Sequence, residues 1–398
     1  MKTPPSDSLT PAGEYGKVAA PTRFYGLDAA RGLAALIVVL FHWRHFFTVG
    51  DFHPMTDYFG YDLLRVFYAN GVWAVDIFFC LSGFVFFFHY ADRIRAKKIS
   101  FGVFAWRRFA RLYPLYIAAI LLVIVLQTVL VRLGGEPFVY RLFDLKHLLL
   151  SLAAVSHWGF QEGMTFNGPD WSISIEVLLY IFFFLACRLG LCARIPYLLL
   201  LVFLGLILSV FYAPTGRGVV GFFMGGLVFE AYRRRDAVSA KGWILLAGLF
   251  FFGWFAVLNQ SVNAGLHAVM AGMLGSITDF GGVARQQQIA HRILLFAMIV
   301  GLFPLTLFLL AASETYAGRF YAKLRVLGDT SYSTYLLHFP MQLVFVLIFR
   351  HLDLDNSMYL DGWVLFLFVI ALLSVSYLSY HYLERPAQRA LLRKTKNP

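Results

Sequence analysis

The sequence predicts an all-α, polytopic membrane protein of about ten transmembrane helices plus short re-entrant or interfacial helices. Composition points there first: over 398 residues, 60% are hydrophobic, 14% are charged and 42 are phenylalanine, with a mean hydropathy of +0.69. Apolar runs long enough to cross a hydrocarbon core of ~30 Å then recur along the whole chain. Basic residues collect in the short loops between those runs, as the positive-inside rule requires.

Taken in order, residues 1 to 24 are polar, contain proline and lack an apolar core. They read as a disordered cytosolic tail and not as a cleavable signal, so entry falls to the first helix. Spanning helices are expected near 27–47, 69–90, 113–132, 171–189, 194–213, 218–232, 242–260, 292–312, 331–350 and 362–383. Of these, 218–232 is short and rich in glycine. Residues 25–388 thus form the membrane domain, and 389–398 a basic cytosolic tail. Placing Arg93, Arg95, Lys97, Lys98, Arg107, Arg108 and Arg111 inside together with Arg233, Arg234 and Arg235 requires that the leftover apolar stretches 145–159 and 264–280 do not cross. Both are therefore read as re-entrant or interfacial helices on the outer side.

The net charge of +12 does not imply nucleic acid, because no basic, aromatic-studded soluble stretch carries it. Cys80, Cys187 and Cys192 are too few for a disulfide framework and read as unpaired thiols. No internal repeat of the kind common in transporters is evident.

Ionisable groups inside apolar spans need a functional or structural reason. Arg31 and His42 both fall in the first span, in LDAARGLAALIVVLFHW. Eleven residues apart, they are separated by about 16 Å of rise and lie within roughly 20° of one face. Asp76 in GVWAVDIFFCLSGF and Glu176 in NGPDWSISIEVLLY lie about five residues below the outer ends of their helices, as does His42, so the three are expected to reach one cavity. Structural alternatives stand beside these: Glu176 tied to Ser172 and Ser174, and Asp76 as a partner of Arg31. Near the inner side, FAWRRFARLYP sets Arg108 and Arg111 one turn apart, as a phosphate-binding pair or as a topological anchor. LGDTSYSTYLLHFP puts Tyr332, Tyr335 and His338 on the ninth span, with His338 some 10 Å from the inner surface. In SYLSYHYLERP, Glu384 and Arg385 read as a structural pair and Pro386 as the helix stop.

These segments, in this order with WSISIE between them, resemble the acyltransferase-3 family of integral membrane O-acyltransferases over about residues 25–388. The resemblance implies transfer of an acyl group, usually acetyl, from acyl-coenzyme A to a hydroxyl of a carbohydrate such as exopolysaccharide or O-antigen, or in some members of a macrolide. It implies the essential pair for Arg31 and His42, and the paired-arginine motif for Arg108 and Arg111. The expected site then has His42 as general base with Glu176 or Asp76 orienting it. Arg31, Arg108, Arg111, His338, Tyr332 and Tyr335 hold acetyl-CoA, and Trp171, Asn167 and Trp73 hold the acceptor. The expected partners are the acyl-CoA, the carbohydrate and the lipid bilayer, in a bacterial inner membrane with both termini cytosolic. A transporter or flippase of a glycan intermediate would share the helices and buried charges. A metal site on His42 and His45 lacks further ligands at recognisable spacing, so no metal is expected.

Overall fold

Apolar runs punctuated by basic, glycine- or proline-bearing connections give a fold made of helices alone. The computed structural model describes residues 21–48, 52–277 and 282–393. In chain order the helices are α1 Tyr25–His42, α2 Tyr61–Asn70, α3 Trp73–Phe86, α4 Asp92–Arg95, α5 Phe101–Arg132, α6 Leu145–Leu152, α7 Trp171–Arg188 and α8 Ile195–Phe211. They continue as α9 Ala213–Arg233, α10 Ala240–Leu258, α11 Gln260–Ile277, α12 Val283–Ala297, α13 Phe303–Tyr321, α14 Arg325–His351, α15 Gly362–Ser379 and α16 Arg385–Arg393. Among the described residues the only extended pairing is an isolated bridge between Leu142 and Thr165.

Seven stretches are long and apolar enough to cross a membrane, and one of them, Val283–His351, holds two of the ten expected spans. The remaining two expected spans are α8, at 17 residues, and the glycine-rich α9. The chain is therefore an all-α polytopic membrane protein. Of the leftover stretches, α6 has eight residues and rises only about 12 Å, too little to cross. α11 pairs with α12, and residues 278–281 at their junction lie outside the described residues. So do residues 1–20, the bulk of the expected tail.

Four boundaries differ from expectation for identifiable reasons. The second span is broken at Gly71 and Val72, so Asp76 sits in the first turn of α3. The helix carrying the arginine pair starts twelve residues early, at Phe101, where the Ser100 hydroxyl caps the backbone N–H of Val103. It runs through Pro114 for 32 residues, about 48 Å. α14 begins at Arg325 and not near residue 331, so His338 stands thirteen residues along it, about 20 Å deep. Finally, Pro386 does not stop the chain: the helix continues through a π-helical turn at Tyr380–Glu384 into α16, of which the proline is the second residue. The expected basic tail is accordingly helical as far as Arg393, packed on α5 through a Trp106 indole bond to the Leu391 carbonyl.

Two parallel helix pairs position the site. α1 and α14 touch backbone to backbone, because a Cβ on Gly328 would stand 2.7 Å from the Asp28 carbonyl oxygen. That contact sets Arg31 beside Ser331 and, further along both helices, His42 beside His338 and Gln342. α3 and α9 approach as closely, since a Cβ on Gly225 would lie 2.1 Å from the Cys80 carbonyl oxygen. The three cysteines are buried free thiols.

Candidate active site

Walled by α1, α3, α5, α7 and α14 is a cavity of about 410 Å³, with Arg23, Arg31, Arg108, Arg111, Glu176 and Tyr335 among its lining residues. One end is built of cations on short leashes. Arg23 pairs with Asp28 at 2.5 Å and with Asp329 at 2.6 Å. Burial opposes the Arg23 cation, but Asp28 and Asp329 outweigh it and hold the guanidinium above its usual range. Arg31 donates to Asp28 at 2.8 Å, to Ser331 Oγ at 3.0 Å and to the Gly328 carbonyl at 3.0 Å. The reason a cation is tolerated in the first span is thus local: an aspartate three residues earlier on the same helix face.

Arg111 is ion-paired with Glu384, which also accepts from Ser333 Oγ at 3.0 Å and is 2% exposed. Glu384 therefore serves Arg111, and not its neighbour Arg385, which lies over the Tyr380 ring. Arg108 differs from the other three. It donates to Tyr90 Oη at 2.7 Å and lies over the Phe86 and Tyr90 rings, yet has no carboxylate partner among the described residues. Its buried Nε has no hydrogen-bond partner, nor does the buried Nδ1 of His89 beside it.

At the other end Tyr335 is the link. It lines the cavity, donates to the Pro169 carbonyl at 2.6 Å and shares a 2.7 Å hydrogen bond with Ser172. Its ring lies 6.0 Å from that of His338, which in turn is 4.9 Å from the His42 ring. His45 completes the group at 4.8 Å from His42. Gln342, fully buried, ties two of the three: its Nε2 donates to the His42 carbonyl at 2.7 Å, and its Oε1 accepts from His45 Nδ1 at 3.0 Å. The His42 carbonyl is available because α1 tightens there into a 3-10 turn over Trp43–Phe47. Phe138, held down by reciprocal bonds between Gln127 and its backbone, and Tyr140 pack their rings edge-on against His45.

The predicted residues divide accordingly. Arg31, Arg108, Arg111, Glu176, Tyr332 and Tyr335 share the cavity, with Tyr332 donating to the Leu112 carbonyl. His42, His338 and Asp76 do not line it, so the expected common cavity for His42, Asp76 and Glu176 is not what forms. Asp76 is spent on Arg217 through two bonds of 3.0 and 2.6 Å, not on His42 or Arg31. Glu176 accepts from Ser82 and Tyr180, not from Ser172 or Ser174, and not from His42. What His42 Nδ1 meets is the Val38 carbonyl at 2.9 Å. His338 belongs with His42, not with the inner arginines, because α14 starts earlier than its LGDTS segment suggests.

Of the expected acceptor residues, Asn167 is fully buried and donates to the Leu336 carbonyl, leaving its Oδ1 without a partner among the described residues. Trp73 Nε1 is likewise a buried donor with none. Trp171 packs 6.3 Å from His157, whose imidazole burial pushes down to about 4 and keeps neutral. Sequence reasoning missed Gln342 and Asp170. The first was signalled by an amide in an otherwise apolar stretch, FPMQLVFV. The second is a buried carboxylate that accepts from the Tyr116 hydroxyl at 3.3 Å, and its neighbours in sequence offered no cue. Among the described residues no group of three or more His, Cys, Asp or Glu is placed to hold a metal ion.

Comparison with known proteins agrees with this architecture. The acyltransferase-3 family, described as an acyltransferase domain, matches residues 24–381. A curated relative from Rhizobium radiobacter, described as "Protein 2 in picA locus", is 34% identical over 169 residues, which is 40% of this chain and 80% of that protein. No solved structure matches. With nearly every spanning helix inside the matched region, the chain belongs to the acyltransferase-3 family and is a membrane acyltransferase.

Proposed function

We propose that the protein moves an acyl group, acetyl in the first instance, from cytosolic acyl-coenzyme A to a hydroxyl of an extracytoplasmic carbohydrate. The observation that carries this reading is one cavity floored by Arg108, Arg111 and Arg31 that ends at Tyr335, next to the His42–His338 ring pair. Coenzyme A is a polyanion on a pantetheine arm, on the order of 15 to 20 Å at the reach of an extended amide chain. Arg108 supplies the phosphate contact, because its guanidinium carries no carboxylate among the described residues and a buried Nε lacks a hydrogen-bond partner. Arg111 and Arg31, neutralised by Glu384 and Asp28, shape the floor more than they charge it.

With the phosphates at Arg108, the arm leads along the cavity to Tyr335, whose ring lies 6.0 Å from that of His338, and so carries the thioester to the end of the cavity nearest the imidazoles. His42 Nδ1 faces a carbonyl oxygen, which only accepts, so Nδ1 carries the hydrogen and Nε2 offers the lone pair. Nε2 takes the proton from the acceptor hydroxyl as it attacks the thioester carbon, and gives it to the departing thiolate. The positive-inside distribution supports the reading in which the Arg93 to Arg111 segment and both termini face the cytosol and the His42 end of α1 faces outward, and the membrane proposed is a bacterial inner membrane.

Arg108→Gln should weaken acetyl-CoA binding to the purified protein by about 10- to 100-fold, the worth of one or two charge-assisted bonds. The remaining binding should depend less on salt. Unchanged affinity would remove Arg108 from the donor site. In sealed vesicles of known orientation, acetyl-CoA should be consumed only from the face bearing Arg93 to Arg111, with acylated glycan appearing on the opposite face. Product confined to the donor side would overturn the two-sided reading.

A further inference from the structure

His42 has an imidazole where a general base of its kind ordinarily has a carboxylate. Neither Glu176 nor Asp76 touches it, and its ring is met instead by His338 at 4.9 Å, tilted by 32°. The two rings are prepared in the same way. His42 Nδ1 faces the Val38 carbonyl and His338 Nδ1 faces the Tyr335 carbonyl, each within its own helix. Carbonyls only accept, so both Nδ1 atoms carry hydrogen and both Nε2 atoms are bare acceptors. Two acceptors cannot bond to each other, and His338 Nε2 is indeed buried without a hydrogen-bond partner among the described residues, on a fully buried side chain. A native protein leaves such an atom unsatisfied for a reason.

We propose that His338 is a positioning residue for the transfer reaction: its Nε2 accepts the Nε2–H that His42 acquires only when it has taken the acceptor's proton. The inference rests on the donor and acceptor reading above. As the hydroxyl oxygen bonds to the thioester carbon, its O–H bond breaks and the proton moves to His42 Nε2, whose N–H is then held in a three-centre bond between the adduct and His338 Nε2. Collapse of the tetrahedral adduct breaks the C–S bond, and the thiolate leaves with that proton, so ester and thiol form and both imidazoles return to neutral. An interaction absent from the resting protein and present at the transition state lowers the barrier without tightening substrate binding. The other titratable or charged groups about His42 are His45, whose Nδ1 is tied to Gln342, and Arg44, which extends from the same turn over the Phe41 ring.

The test measures coenzyme A release from acetyl-CoA, with surface glycan from cells lacking the gene as acceptor, by purified wild type, His338→Ala and His338→Gln in mixtures of H2O and D2O. Wild type should give a curved proton inventory, because two proton positions change together. Both variants should lose about 10-fold or more in kcat, the worth of a hydrogen bond to a charged group. Their KM for acetyl-CoA should stay within about twofold, and their inventory should become linear. Where His338→Ala does not yield folded protein, His338→Gln, which retains a polar group at the site, carries the comparison. Curvature unchanged in a folded variant, or a loss confined to KM, would overturn the proposal while leaving the acyl-CoA reading standing. Wild type that releases no coenzyme A would overturn that reading, and the proposal with it.

Discussion

His42→Ala abolishes acyl transfer and leaves the fold and donor binding intact. The expected loss is about 10² to 10⁴ in kcat, the contribution of a positioned general base. Among the described residues the His42 ring bonds only to Val38 in its own helix, and the interhelical bond at this position, Gln342 Nε2 to the His42 carbonyl, belongs to the backbone and survives the substitution. Thermal unfolding in detergent and acetyl-CoA affinity should therefore match wild type while turnover disappears. Activity above about a tenth of wild type in folded His42→Ala would exclude it as the base.

Asp76→Ala unfolds the protein at lower temperature, because it strands Arg217. Asp76 is fully buried and holds the guanidinium by two bonds between the closely packed α3 and α9. Removing one member of such a pair costs about 3–5 kcal/mol, whereas replacing both by apolar residues is often neutral. Asp76→Leu combined with Arg217→Met should thus recover stability, and recover acyl transfer along with it. A double variant that regains its thermal midpoint but stays inactive would return Asp76 to the catalytic machinery.

How far the sequence could be read is visible in these two residues. The spans were legible because each is an apolar run whose length is set by the bilayer, and the buried ions were legible because lipid makes them conspicuous. Their pairings were not. Asp76 and Arg217 are 141 residues apart, and Arg111 and Glu384 are 273 apart, so only the packed helices disclose them. Depth misled as well, since counting from a span end near 331 put His338 with the inner arginines, while six further helical residues carry it up to His42. The Arg31 to Asp28 pair was readable, being three residues apart on one helix. It went unread because a partner was sought on another span.

The parallel seating of α1 on α14 has a further consequence. The two helices are fastened at two levels, by Arg31 to Gly328 and Ser331 and by Gln342 to the carbonyl of His42. The interval between the arginine floor and the imidazoles is thereby a fixed length, about 16 Å along α1 from Arg31 to His42. On the proposed reading the protein is a ruler. A carrier is accepted by how far it holds its acyl carbon from its phosphates, so acetyl phosphate or a short thioester would lodge among the arginines with its carbonyl far below the base.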